Sequence, residues 1–88
     1  MRLKAGFATG LFRSPQGKWY AATSTEGVYA REGDSWKPVP AINQELDDPH
    51  VRGIVWTSDG LMWVENLRGV SVFRDEKLVE RIGQAKVP

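Results

Sequence analysis

The chain has 88 residues, no cysteine and a single histidine, and its twelve Lys and Arg against eleven Asp and Glu leave a net charge of +1. Such a length supports one domain at most, disulfides and thiolate metal sites are excluded, and the lone His50 makes a histidine-rich metal site an unfavoured reading. There is neither a basic stripe for nucleic acid nor an apolar run of the roughly 20 residues that a membrane span requires, so neither partner is expected.

A chain this small buries a modest fraction of its surface, and without disulfides or a metal the usual remedy is association with further chains. Met1 to Phe7 carries charge with no apolar core of signal-peptide length behind it, so a soluble, cytoplasmic protein without a cofactor is expected.

In chain order, Leu3 to Phe12 suits an extended segment weakened at Gly6 and Gly10. Ser14-Pro15-Gln16-Gly17 is a turn, because proline presets one dihedral and glycine accepts positive φ. Lys18 to Thr23 reads as a strand, Ser24 to Gly27 as a turn and Val28 to Arg31 as the returning strand. After a turn at Glu32-Gly33-Asp34-Ser35, Trp36 to Val39 should form an edge strand, since Pro38 offers no N–H to a ladder. Pro40 to Pro49 is the longest polar connector, and only Ala41 to Asp48 has room for a helical turn.

The pattern then recurs. Val51 to Thr57 is apolar and β-branched, Ser58-Asp59-Gly60 turns it, and Leu61 to Val64 returns. Asn66 to Gly69 turns again before Val70 to Phe73, and Asp75-Glu76-Lys77 leads into Leu78 to Ile82, closed by Gly83. Overlaying the halves places Gly10 on Gly53, Gly17 on Gly60, Tyr20 on Trp63 and Ala21 on Val64, all 43 residues apart. Val28 falls on Val70 and Trp36 on Leu78 once a residue is dropped in the turn.

The expected architecture is therefore all-β: two four-stranded antiparallel meanders, about 7–40 and 50–83, joined by a connector at 41–49. A repeat of roughly 40–45 residues suits a β-propeller blade. The alternative is a small β-sandwich or barrel whose hairpins merely look alike.

Asp59-Gly60-Leu61-Met62-Trp63-Val64 followed by Gly69-Val70 resembles the propeller repeat found in sensor regions of two-component regulators. Gln16 to Thr23 is similar to a more degraded copy, with Tyr20 in the tryptophan place. The small glycine of that motif is replaced by Ala22 in one unit and Glu65 in the other, and Thr23 is matched by Asn66. The resemblance implies a recognition module rather than a catalyst, with any site at a ring axis or between blades.

Blades bury both faces, and Trp19 to Ala22 and Leu61 to Val64 are apolar on both. Two blades alone would leave a greasy face at each end, so a head-to-tail homo-oligomer is expected, with a trimer preferred among closures of four to eight blades. An exchange of Met1 to Ala5 onto a neighbouring blade is an alternative closure.

Four residues stand out as candidate contacts for a small-molecule or protein ligand: Trp56, Glu65, Arg52 and His50. Trp56 follows Val55 on an inner strand, whereas Trp19, Trp36 and Trp63 read as packing residues. Glu65 sits beside an apolar run and calls for a partner such as Arg52, Arg68 or Arg13. Asp47-Asp48-Pro49-His50 reads either as an ordinary turn or as an acid–base cluster, and no metal site is expected there. A small enzyme with His50, Asp48 and Glu65 between chains is the second functional hypothesis, and a β-barrel adaptor the third.

Overall fold

Two turns of the same build join the first two strands of each half. In the first, the Gly17 N–H donates to the Ser14 carbonyl at 2.9 Å and the Ser14 N–H to the Lys18 carbonyl at 2.8 Å. In the second, Gly60 donates to Thr57 at 3.0 Å and Thr57 to Leu61 at 2.9 Å. Gly17 and Gly60 each adopt φ +90°, a conformation that side chains with a Cβ resist. The computed structural model describes residues 8–83, so the strand exchange expected of Met1 to Ala5 lies outside the described residues.

The turns connect β1 (Ala8–Arg13), β2 (Trp19–Thr23), β3 (Val28–Glu32) and β4 (Ser35–Pro38) into one antiparallel sheet in sequential order. After α1 (Pro40–Asn43), β5 (Val51–Trp56), β6 (Met62–Asn66), β7 (Gly69–Arg74) and β8 (Lys77–Gly83) form a second sheet of the same order. The two sheets are separate and no barrel closes, which removes the barrel alternative. Four-stranded meanders satisfy their ladders internally, leaving β1, β4, β5 and β8 as edges, and Pro38 lies on edge strand β4 as its missing N–H requires.

Residues 43 apart occupy equivalent ladder positions in the two sheets. Leu11 pairs with Ala21 as Ile54 does with Val64, and Phe12 pairs with Tyr20 as Val55 does with Trp63. Each inner strand carries an irregularity at the same place, between Ala8 and Gly10 and between Val51 and Gly53. Thr9 and Arg52 are therefore the extra residues of corresponding bulges.

One side of each sheet makes the core. Phe12, Tyr20, Ala22, Val28 and Ala30 of the first sheet meet Ile54, Met62, Val64 and Phe73 of the second. The sheets approach most closely at β1, β2 and β5. Farther out they are separated by the connector, whose Ile42 is fully buried in the same core. The pair is therefore a wedge, narrow at the inner strands and filled by α1 toward the outer ones.

Hydrogen bonds fasten the wedge. The Thr9 hydroxyl donates to the Val51 carbonyl across the inner strands at 2.7 Å. Asn43 accepts the Val28 N–H at 2.8 Å and donates to the Val28 carbonyl at 3.1 Å, pairing with β3 as a strand would. Gly27 must be small here, because a Cβ would come within 2.5 Å of the Asn43 side-chain oxygen and its φ is +75°. On the far side Arg81 of β8 donates to the Glu45 carbonyl at 2.8 Å and pairs with Glu45 and Asp47. The helical turn expected within 41–48 thus begins one residue earlier, at Pro40, whose fixed φ suits the first helical position.

Candidate functional site

Strand alternation decides what each sheet presents. The Tyr20 side of the first sheet and the Val64 side of the second are used up against each other. The opposite sides remain open: the Ala21 side of the first sheet and the Trp63 side of the second.

The Trp63 side holds an apolar groove. Val55, Trp63, Glu65 and Val70 line a groove of about 300 Å³ whose further walls are Phe12, Gly53 and Ile54. Val55, next to last in edge strand β5, is 60% exposed. The Trp63 indole N–H is buried with no acceptor, a cost that few native groups carry. Glu65 projects from the same side, since it pairs with Gly53 and Val70, and it is exposed. Among the described residues it forms no ion pair, so the expected partners Arg52, Arg68 and Arg13 do not meet it within the chain. Arg52 sits at the β5 bulge, Arg68 in the turn between β6 and β7, and Arg13 on the other sheet.

The Ala21 side carries Tyr29 packed on Ala21, with Trp36 against both. Leu11, 57% exposed, lies beside them through its pairing with Ala21. Arg13 stacks over the Trp19 ring at 5.9 Å. Tyr29 donates its hydroxyl to Glu26 at 3.0 Å, and burial, helped by that carboxylate, raises its pKa.

Trp56 belongs to neither open side. It is half-buried against Tyr20, with ring centroids 5.6 Å apart, and lines a second cleft between the sheets. That cleft, of about 310 Å³, includes Gln16, Asp75 and Glu76. Burial, with the Glu76 carboxylate beside it, pushes the Tyr20 hydroxyl up to about 12, so it stays a donor at any ordinary pH. It makes a long 3.4 Å hydrogen bond to Glu76, which also faces Lys18 at 3.6 Å. Asp75 and Glu76 adopt φ 52° and 65°, the arrangement of a tight I′ hairpin. Non-glycine residues there store about 1–3 kcal/mol of strain each. Sequence reading passed over Glu76; two acidic residues at the centre of a two-residue hairpin were the available signal.

Trp56 and Glu65 therefore line different clefts, and neither cleft includes Arg52 or His50. Arg52 is exposed at the β5 bulge. The His50 N–H donates to the Asp48 carboxylate at 2.8 Å, the hydrogen bond of a turn that starts β5. Among the described residues no three His, Asp or Glu side chains group as metal ligands, and no helix is long and apolar enough to cross a membrane. Comparison with protein-family models, curated proteins and solved structures found no match.

Proposed function

We propose that the protein is a non-catalytic interaction module that closes a head-to-tail ring with copies of itself, its sheets serving as propeller-like blades. One observation carries this reading. Residues 43 apart have the same ladder partners in the two sheets, so the Tyr20 side corresponds to the Trp63 side and the Ala21 side to the Val64 side.

Within the chain a Tyr20 side packs on a Val64 side. The open pair, a Trp63 side and an Ala21 side, is the same combination in a second pair of surfaces. Repeating the internal contact between chains would cover both, and a heterologous contact that turns at each step closes into a ring. The wedge shape supports closure over an open stack, because α1 splays the outer strands at each internal step. The sequence resemblance to sensor propeller repeats supports the same reading, and a trimer would supply six sheets, within the range of closed propellers.

Mass in solution tests this. Light scattering at micromolar concentration should give a defined multiple of the 9.9 kDa chain. A stable monomer overturns the proposal.

A further inference from the structure

We propose that Arg13 of one copy seats over Trp63 and pairs with Glu65 of the next, making this contact the anchor of self-association. The proposal rests on the ring reading above and goes on to name the residues that join one chain to the next.

The internal contact supplies the geometry. There, Tyr20 of β2 meets Trp56 at the end of β5. The residue corresponding to Tyr20 is Trp63, paired with Val55 as Tyr20 is with Phe12. The residue corresponding to Trp56 is Arg13, paired with Trp19 as Trp56 is with Met62. Repeating the contact between copies brings a guanidinium onto an indole in place of a phenol onto an indole. Trp is the best of the aromatic rings for a cation and Arg the cation found there more often, and Arg13 already lies over one indole, that of Trp19.

Charge argues the same way. Glu65 corresponds to Ala22, which is fully buried in the internal contact. A carboxylate at that position would be sealed without a partner unless the facing surface provides a cation. The Trp63 side carries Glu65 and, across from Val72, Glu80. The Ala21 side carries Arg13 and, across from Trp36, Arg31. Arg74 and Lys77, paired with each other one position beyond Phe73, share the Trp63 side, so the complementarity is local: Glu65 beside Trp63 facing Arg13 of the next copy. The groove beside Trp63, about 300 Å³, gives the Arg13 side chain room to enter.

Charge exchange tests the contact. Both residues are exposed in the single chain, so Glu65→Arg and Arg13→Glu should leave the circular dichroism of the fold unchanged. Each alone should weaken self-association at least tenfold by analytical ultracentrifugation. The double exchange in one chain restores opposite charges at every junction and should recover the ion-pair part of the lost association, though not the guanidinium–indole part. If the unaltered protein assembles and the single variants assemble as well, this contact is wrong while the ring reading stands. The contact is also overturned if both single variants dissociate and the double exchange fails to recover. A monomeric unaltered protein overturns both readings together.

Discussion

Tyr20 and Trp56 face each other across the inner end of the wedge, ring planes inclined at 45° and centroids 5.6 Å apart. The contact fixes how β2 meets β5 and places the Tyr20 hydroxyl where Glu76 can accept from it.

Alkaline pH should expose this arrangement. The folded protein holds the Tyr20 proton up to about 12, against an ordinary value of 10.0, so its neutral form is preferred on folding. The contribution is fully present below pH 10 and is lost as pH rises from there toward 12, where the unfolded chain has released a proton that the folded chain retains. Melting temperature should therefore fall across that window. Tyr20→Phe should flatten the fall, leaving the part that Tyr29 supplies through its own raised pKa. An unchanged slope in the variant would contradict the assignment.

Asn43 holds the connector to β3 with two hydrogen bonds to Val28. Asn43→Ala should lower unfolding free energy by about 1–3 kcal/mol, because the Val28 N–H loses its acceptor in a partly buried place, while the Val28 carbonyl keeps the Val39 N–H. Urea titration reads the loss directly, and hydrogen exchange at the Val28 amide should rise with it.

Ile42 is fully buried between the sheets from a helix of only four residues. Ile42→Ala should cost about 2–5 kcal/mol, the range for removing a large aliphatic group from a core that cannot fully collapse. A cost below about 1 kcal/mol would mean the wedge closes over the gap, contrary to the filling role given to α1.

Much of this architecture is legible in the residues. Gly17 and Gly60 mark turns that need positive φ, and the Tyr20–Trp63 and Gly10–Gly53 correspondences reappear as ladder register. Local rules suffice there, since a tight turn fixes which residues of its two strands can pair. The site was less legible. Trp56, Glu65, Arg52 and His50 are expected as ligand contacts at a ring axis or between blades, yet alternation sends Trp56 and Glu65 to opposite sides of one sheet. The Asp48–His50 stretch reads either as an ordinary turn or as an acid–base cluster, and a turn hydrogen bond joins the two residues.

The sequence alone determined eight short strands, their order and their pairing, because turn chemistry and two-residue alternation act over a few positions. Tertiary structure decided which side of each sheet is covered. That choice depends on how Ile42 and the Thr9–Val51 bond bring two distant segments together, which no local pattern encodes.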